Sequence, residues 1–328
     1  MTAEKMFDPV LINEWYAVMR ESQLTDKPVG IKVLGERVVI FRNSEGVHAW
    51  KDLCIHRGAM FSKGGYVEKD RLVCPYHGWQ YNSKGNCVCI PAQPEKAIPL
   101  KALAKVFHCE VKHGLVWVNM GEPIVGVPPF EESNNPAFRT VQSGPYIIEA
   151  MAPRILENFM DFAHLMFVHR GLIGDPSEPK VQEYKVHMEK GWPCTEDVLI
   201  LQPNSDASGK EAKNYIVKEA LRPFTARLRK TNSVTGDIIS IMITVNQMEK
   251  HKAQAFCVIS RNFAHDVPNE EYEKFQDLTM SQDIEILEGQ KPEELPLDLQ
   301  AELSLRCDQM SIAYRKWLNE LGITIGTA

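Results

Sequence analysis

Short apolar runs separated by turn-forming residues characterise the first 125 residues. The runs are bounded by segments such as Asp26-Lys-Pro and Asn43-Ser-Glu-Gly. Turn signals at such close spacing are typical of short antiparallel strands. The predicted strands are Leu11–Met19, Gly30–Val33, Arg37–Phe41, His48–Lys51, Gly78–Tyr81 and Leu115–Val118. We therefore expect a small all-β domain over residues 1–125.

The pattern changes after a Pro- and acid-rich stretch over residues 126–150, which is predicted to be a linker. Pro153 can occupy the first turn of a helix, because its missing N–H costs no hydrogen bond there. The elements predicted beyond it are helices at Arg154–Phe167, Glu270–Glu288 and Leu299–Leu321, and strands at Tyr184–Met188, Tyr215–Ala220, Ile238–Val245 and Ala255–Ser260. The last helix should stop at Gly322. Residues 151–328 are therefore predicted to form an α+β domain with a central antiparallel sheet.

Composition narrows the class of protein without naming a function. The 328 residues are 44% hydrophobic and carry a formal net charge of −6, which argues against nucleic acid as a partner. No apolar run approaches the roughly 18 residues of a membrane helix, and the N-terminus lacks the pattern of a secretory signal. The eight cysteines are too few and too unevenly spread for a disulfide scaffold. We expect a soluble cytoplasmic protein.

Two Cys/His pairs form the first candidate metal site. Cys54-Ile-His56 is followed after 17 residues by Cys74-Pro-Tyr-His77. Each pair can bring one thiolate and one imidazole to a loop tip, and two such loops can close on a two-iron cluster. Zinc is the alternative, but zinc fingers usually space two cysteines together and two histidines together. The alternation favours a Rieske [2Fe–2S] cluster.

The sequences around these ligands resemble a known family. Cys54-Ile-His-Arg-Gly and Cys74-Pro-Tyr-His-Gly-Trp are similar to the Rieske motif of the ring-hydroxylating oxygenases. The resemblance implies a helix-grip-like catalytic domain behind the cluster domain. It also implies electrons from NAD(P)H through a separate reductase, with a ferredoxin as an optional carrier. No G-x-G-x-x-G segment follows a predicted strand, so the chain shows no nucleotide domain of its own.

A second candidate metal site follows Pro153. Asn158, Asp161 and His164 are three residues apart and would share one helical stripe. His169 lies five residues beyond His164, which on a regular helix turns it about 140° away. Both imidazoles can reach one metal only if the helix ends or bulges between them, and Gly171 makes an ending plausible.

Two histidines need a carboxylate to complete the facial triad of a non-haem Fe(II) oxygenase. The candidates lie between Asp277 and Glu288. The group related to dicamba and vanillate demethylases has an Asp here with a Glu five positions on, and Asp283 with Glu288 repeats that pairing. The resemblance therefore favours Asp283 as the ligand, with Glu285 and Glu288 as the other candidates.

The resemblance also gives Asp161 a role, with Asn158 beside it in the catalytic set. It implies that Asp161 hydrogen-bonds His164 on one side and His77 of a neighbouring chain on the other. Such an arrangement requires a head-to-tail ring, most simply a homotrimer. O₂ would be the cosubstrate at the mononuclear iron.

The reaction and the substrate remain open at this point. Monooxygenation of a small organic molecule, by hydroxylation or oxidative demethylation, is favoured over cis-dihydroxylation of an aromatic ring. A Rieske electron carrier or a redox-sensing protein without turnover is the alternative from another class. The segments Gly289-Gln-Lys-Pro-Glu-Glu-Leu-Pro-Leu and Ala313-Tyr-Arg-Lys-Trp-Leu are similar to the Rieske hydroxylases of saxitoxin biosynthesis. We expect the substrate between the iron and the sheet of residues 181–261.

Overall fold

A computed structural model describes residues 8–206 and 209–328. The chain divides into two compact units, Met1–Val127 and Pro128–Ala328. Within the described ranges, no helix combines the length and the apolar composition needed to cross a membrane.

The first unit consists of strands joined by turns. Its strands are β1 Tyr16–Arg20, β2 Val29–Val33, β3 Glu36–Asn43, β4 Gly46–Lys51, β5 Tyr66–Glu68, β6 Arg71–Val73, β7 Gln80–Tyr81, β8 Cys87–Cys89, β9 Val106–Lys112 and β10 Leu115–Asn119. Six of them form an antiparallel sheet in the order β1-β10-β9-β4-β3-β2, and β5 to β8 form a second sheet in sequence order. The predicted all-β character is confirmed.

The strand predicted at Leu11–Met19 is wrong in its first half. Leu11–Asn13 form a single 3-10 turn, and β1 begins only at Tyr16. The Asp8 carboxylate accepts hydrogen bonds from the backbone N–H groups of Val10 and Leu11, at 2.9 and 3.0 Å. A side chain that satisfies the backbone locally competes with strand pairing, and apolar residues alone do not reveal that competition.

The second unit is a long antiparallel sheet with helices packed against it. Its elements are β11 Arg139–Ile148, α1 Ala152–Met160, α2 Leu165–Val168, β12 Val186–Glu189, β13 Trp192–Thr195, β14 Val198–Gln202, β15 Ala212–Arg222, β16 Thr225–Asn232, β17 Ile238–Glu249, β18 Lys252–Arg261, α3 Asn269–Gly289 and α4 Gln309–Leu321. The strand order is β11-β18-β17-β16-β15-β13-β12, with β14 also paired to β15. Helix α3 packs along β11, and α1 contacts β16 and β17. The α+β prediction is confirmed.

Strand β11 lies within residues 126–150, the stretch predicted as a linker. It pairs with β18 at the edge of the sheet, and the register shifts between Ser143 and Tyr146. Pro145 stands in that shift, and edge strands and bulges are the places where a sheet tolerates proline. The Gly-Pro pair and the acidic sequence before it hid this strand.

The helix predicted at Arg154–Phe167 is wrong beyond Met160. Helix α1 ends there, and the short helix α2 starts at Leu165. The Asp161 carboxylate accepts hydrogen bonds from the backbone N–H groups of Ala163 and His164, at 3.2 and 2.8 Å. An Asp in this role starts a new turn rather than continuing the old helix. Consequently Asn158, Asp161 and His164 do not share one helical stripe.

The helix predicted at Leu299–Leu321 is wrong in its first ten residues, because α4 begins only at Gln309. The Asp308 carboxylate accepts a hydrogen bond from the backbone N–H of Leu305 at 2.7 Å, which fixes a 3-10 turn before the helix. Leu303, an apolar residue within the predicted helix, is 88% exposed. The predicted stop is confirmed, since Gly322 adopts φ 74° in the left-handed region.

Candidate metal centres

Two similar loops of the first unit carry the predicted cluster ligands. Cys54 follows β4, and Cys74 directly follows β6. The backbone N–H of Gly58 donates to the Cys54 carbonyl at 2.9 Å, and that of Gly78 donates to the Cys74 carbonyl at 3.0 Å. Both glycines have positive φ, 71° and 68°. Glycine adopts this conformation without steric cost, so each loop can turn tightly around its Cys/His pair.

The two cysteines face each other in the core of the unit. Cys54 and Cys74 are 1% and 2% exposed. A hydrogen bond from the Cys74 thiol lowers the pKa of Cys54 to about 6, against the effect of burial, while the same contact raises the pKa of Cys74. The Tyr81 hydroxyl lies 3.2 Å from the Cys54 sulfur. Two thiols held this close suit a cation that replaces the shared proton.

The histidines of the two loops lie side by side. The rings of His56 and His77 are 4.6 Å apart between centroids, and His56 stacks on Trp79 at 4.4 Å. Within the described residues, Nδ1 of His56 is buried without a hydrogen-bond partner. His77 is exposed. Two thiols with two imidazoles, one of them with a buried unpaired nitrogen, fit the ligand set of a Rieske cluster.

The second unit brings together the three residues predicted for the second metal site. Nε2 of His169 lies 3.1 Å from Oδ1 of Asp283, and Nε2 of His164 lies 3.6 Å from the same oxygen. One candidate ligand atom from each residue lies within 4.8 Å of the others. Within the described residues, Asp283 Oδ1 is buried and has no hydrogen-bond partner. A buried carboxylate oxygen without a hydrogen-bond partner suits a divalent cation that is also held by two histidines.

The break between the helices explains how both histidines reach one point. His164 stands at the N-terminal cap of α2 and His169 at its C-terminal cap. The helix is interrupted, as predicted. The interruption lies mainly at Asp161, before His164, rather than between the two histidines. Gly174 allows the following loop to pass close to α2, because a Cβ there would lie 1.9 Å from the Leu165 carbonyl oxygen.

Each histidine is held through its other ring nitrogen. Nδ1 of His164 lies 2.8 Å from Asp161 Oδ2, and Nδ1 of His169 lies 2.9 Å from Gln282 Oε1. Both partners are acceptors, so each Nδ1 carries the proton and each Nε2 keeps its lone pair towards Asp283. Partners of this kind orient metal-binding histidines.

Asp161 is ionised and its backbone is fixed by a buried lysine. Burial opposes ionisation, but the hydrogen bonds from His164 and the charge of Lys218 lower the pKa of Asp161 to about 2. The Lys218 ammonium donates to the carbonyl oxygens of Phe159 and Asp161 at 2.9 and 2.7 Å. Lys218 therefore caps the end of α1 where the iron-site segment begins.

The remaining sequence candidates lie elsewhere. Glu285 and Glu288 are exposed, and Glu288 accepts a hydrogen bond from the Glu149 backbone at 3.0 Å. Asn158 lines an open groove together with Asp161 and His164. Neither glutamate belongs to the group of converging ligand atoms.

A second, more enclosed cavity lies on the sheet side of the site. It is lined by Leu165, by apolar residues of the sheet and by one face of α3. Leu165 follows His164 in the chain, so His164 borders the open polar groove and its neighbour borders the mostly apolar cavity. The cavity is where the substrate was expected, between the iron and the sheet.

Two residues of the site were not found from the sequence. Gln282 stands next to Asp283, but an adjacent helix residue points in another direction, so nothing singled it out. Lys218 left a clearer signal, because it interrupts the apolar run of β15. A lysine in a strand buried on this face is expected to have a specific partner.

Two family models match the chain. The Rieske [2Fe-2S] domain matches residues 14–116, and the vanillate O-demethylase oxygenase C-terminal domain matches residues 148–323. The methylxanthine N1-demethylase NdmA of Pseudomonas putida is 32% identical over 302 residues, covering 90% of this chain and 82% of NdmA. The methylxanthine N3-demethylase NdmB of the same organism is 31% identical over 313 residues, covering 90% and 84%. The solved structure of P. putida NdmA with caffeine has a TM-score of 0.84 at 28% identity, covering 95% and 91%.

A Rieske domain followed by such a catalytic domain defines the Rieske non-haem iron oxygenases. The chain belongs to their vanillate O-demethylase family. It is the terminal oxygenase component, which uses a Rieske [2Fe–2S] cluster, a mononuclear iron, O₂ and electrons from NAD(P)H through a separate reductase. Its reaction is monooxygenation of a small organic substrate. The zinc and electron-carrier alternatives do not account for both matched domains.

Proposed function

We propose that Cys54, His56, Cys74 and His77 hold the cluster, and that the mononuclear iron is held by the triad of His164, His169 and Asp283. The observation that carries the second assignment is the convergence of both Nε2 atoms on Asp283 Oδ1, at 3.6 and 3.1 Å. The domains proposed for these sites are residues 1–125 and 151–328, and residues 126–150 between them contribute β11 to the sheet of the second unit. A cytoplasmic location remains part of the proposal.

The side chains around the proposed iron site orient its ligands and keep water away from the substrate. When bound, the cluster supplies electrons, and the iron supplies the activation of O₂. Asp161 and Gln282 keep the two histidines in the tautomer that presents Nε2 to the metal. Lys218 fixes the Asp161 backbone, and Asp283 offers a negative charge to the cation. The apolar cavity excludes water from the reacting substrate.

We also propose a head-to-tail homotrimer in which Asp161 connects the two kinds of metal site. His77 is exposed on the first unit, and the open groove presents Asp161 and Asn158 on the second. A His77 from another copy placed in that groove would hydrogen-bond Asp161, with Asn158 beside it. A heterologous contact of this kind closes into a ring. A native mass of three chains is expected, and a monomer at assay concentrations would contradict it.

The proposed reaction is oxidative removal of an N- or O-methyl group. Two similarities support this reaction. The matched family model is named after vanillate O-demethylase, and two relatives are named as N-demethylases. One oxygen atom of O₂ enters the methyl C–H bond and the other leaves as water, with two electrons from the reductase and two protons. The hydroxymethyl product then releases formaldehyde. Hydroxylation without loss of carbon is the second candidate, on the resemblance to saxitoxin-pathway hydroxylases.

A substrate panel with product masses tests the reaction. The purified chain, a competent reductase, NADH and O₂ are incubated with methoxy- and N-methyl-substituted aromatic compounds. Loss of CH₂ with an equivalent of formaldehyde supports demethylation. A gain of one oxygen supports hydroxylation instead, and a gain of two oxygens and two hydrogens would contradict the proposal by showing dihydroxylation.

A further inference from the structure

Strands β12 and β13 form a hairpin at one edge of the sheet in the second unit. Lys190 and Gly191 connect the two strands, and both have positive φ, 51° and 92°. A two-residue turn of this kind matches the twist of antiparallel strands and fixes their register. The turn thereby places His187 directly opposite Cys194 in this edge hairpin.

Three potential metal ligands share one face of the edge hairpin. Residues two apart in a strand point to the same face, so Glu189 accompanies His187. Directly opposite residues of paired strands also share a face, so Cys194 accompanies both. Nε2 of His187 lies 3.6 Å from Oε2 of Glu189. One ligand atom from each of the three residues lies within 4.8 Å of the others. The hairpin therefore gathers an imidazole, a carboxylate and a thiol at one point.

The thiol of Cys194 is held in a negatively charged environment. Burial, together with the charges of Glu219 and Glu189, raises the pKa of Cys194 to about 12, against the opposite effect of Arg227. Arg227 is bound to Glu219, with its Nε 2.6 Å from the carboxylate. Glu219 is therefore paired with a cation already, whereas the Glu189 carboxylate is hydrogen-bonded to the thiol. A divalent cation could replace the thiol proton here, because coordination to a metal ion deprotonates a thiol.

The three donors suit zinc better than they suit the hard cations. Mg²⁺ and Ca²⁺ are bound through oxygen atoms, and this group offers one carboxylate. Zinc takes thiolate, imidazole and carboxylate ligands in a tetrahedron. Its bond lengths of about 2.0 to 2.3 Å place neighbouring ligand atoms about 3.5 Å apart, close to the 3.6 Å between His187 and Glu189. The thiolate and the carboxylate neutralise Zn²⁺, and a water molecule can fill the fourth position because His187 and Glu189 are exposed.

This group of ligands faces away from the enclosed cavity of the second unit. Cys194 is paired with Glu219 of β15, so the two side chains share a face of the sheet. Lys218, the residue before Glu219, lines the cavity. Neighbouring residues of a strand point to opposite faces, so the Cys194 thiol is on the other face. An ion bound there would not contact a substrate in the cavity.

We propose that His187, Glu189 and Cys194 form a zinc site at the edge of the sheet, with ligands different from those proposed for the cluster and the iron. Zinc at this site takes no part in oxygenation. It joins β12 to β13, and β13 joins the sheet through the pairing of Cys194 with Glu219. The ion therefore stabilises the edge hairpin against local opening. This inference is independent of which residues hold the iron.

Zinc uptake by the iron-loaded protein tests the site. The protein, with its cluster and mononuclear iron in place, is titrated with ZnCl₂ by calorimetry, without reductase or substrate. One zinc ion per chain should bind with a dissociation constant of about 1 μM or lower, and elemental analysis should show an unchanged iron content. Zinc X-ray absorption, to which iron does not contribute, should show one sulfur ligand at about 2.3 Å beside lighter ligands at about 2.0 Å.

Two variants and one control locate the bound ion. His187→Gln removes an exposed ligand and should weaken zinc binding at least about ten-fold. Cys194→Ser should weaken binding and also remove the sulfur ligand from the absorption spectrum. Cys307→Ser is the control: the Cys307 sulfur lies 3.3 Å from Oδ1 of Asp308 but, among the described residues, belongs to no group of converging ligands. It should change neither the affinity nor the spectrum. His187→Gln keeps the test decisive if Cys194→Ser does not fold.

Backbone hydrogen exchange measures the effect of zinc on the edge hairpin. At 100 times the dissociation constant, zinc should slow exchange in β12 and β13 by up to about 100-fold, and His187→Gln should lose this effect. The site is rejected if the iron-loaded protein takes up no zinc, if uptake is matched by loss of iron, or if the bound zinc has no sulfur ligand. Equal weakening by Cys307→Ser and His187→Gln, or unchanged exchange in the hairpin, would also reject it.

Discussion

At the scale of single residues, the iron site depends on two hydrogen-bond acceptors that would not themselves bind metal. Asp161 and Gln282 each receive a hydrogen bond from Nδ1 of one histidine. Without such an acceptor, an imidazole can rotate or change tautomer, and its Nε2 no longer faces the metal. The two acceptors differ in charge, and their replacements are therefore expected to have different consequences.

Replacing Gln282 should weaken iron binding. Gln282→Leu removes the acceptor of His169, so the Fe(II) affinity of the mononuclear site should fall by about 10- to 100-fold. Gln282→Glu keeps an acceptor and should retain most of the affinity. Iron titration of the metal-depleted site measures both, with the cluster absorbance as an internal reference. Unchanged affinity in the Leu variant would show that the His169–Gln282 contact has no orienting role.

Replacing Asp161 should separate metal binding from turnover. Asp161→Asn keeps the shape of the side chain but loses the charge, so both metal sites should stay filled while turnover stops. Asp175→Asn, at a half-buried carboxylate in the loop after α2, is the matched control and should turn over normally. Metal analysis and the rate of cluster oxidation with substrate and O₂ are the measurements. Oxidation of the Asp161→Asn cluster at the wild-type rate would reject the connecting role of Asp161.

At the scale of elements, the break between α1 and α2 determines the geometry of the site. Asp161 starts the new turn through its own side chain, and Lys218 reaches from β15 to hold the carbonyl oxygens on the α1 side. Helix periodicity predicts a continuous helix here, because both sides of the break are apolar at helical spacing. The interruption depends on one local carboxylate and on one lysine nearly 60 residues away. The spacing of apolar residues gives no information about either contact.

Removing the lysine should loosen the site without removing it. Lys218→Met leaves two buried carbonyl oxygens without a donor, so the end of α1 should shift and Fe(II) affinity should fall by about ten-fold. The exposed Lys213, on the same strand, provides the control as Lys213→Met. Iron titration and the cluster spectrum are compared for the two variants. Equal affinity in both would show that the cap on α1 does not position the ligands.

Helix α4 is tied to α1 by a buried ionic network. Arg315 binds both carboxylate oxygens of Glu157 at 2.6 and 3.0 Å and also contacts Glu302 at 2.6 Å. Among the residues that the structure describes, Arg315→Met leaves the buried Glu157 with Arg154, at 3.6 Å, as its one cation partner. The free energy of unfolding should fall by about 3 kcal/mol, at the lower end for a broken buried pair. Urea unfolding measures the change, and Arg306→Met, at an exposed pair, should cause none.

At the scale of the whole molecule, the order of the two domains and the seven ligands proposed for the cluster and the iron could be predicted from the sequence. Ligand spacing such as Cys54-Ile-His56 expresses loop geometry directly, and helix α3 was predicted to within one residue at each end. What could not be predicted arises from contacts distant in sequence. The pairing of β11 with β18 and the contact of Lys218 with the end of α1 depend on how sheet and helix meet, which no local pattern records.

In the proposed mechanism, electrons stored in the cluster are used at an iron held by His164, His169 and Asp283. The most direct measurement is a single turnover: the chain is reduced without O₂, the reductase is removed, and substrate with O₂ is added. The wild-type cluster should be oxidised as product forms. Asp283→Ala should keep its reduced cluster and form no product. Product formation and cluster oxidation by Asp283→Ala at the wild-type rate would contradict this mechanism.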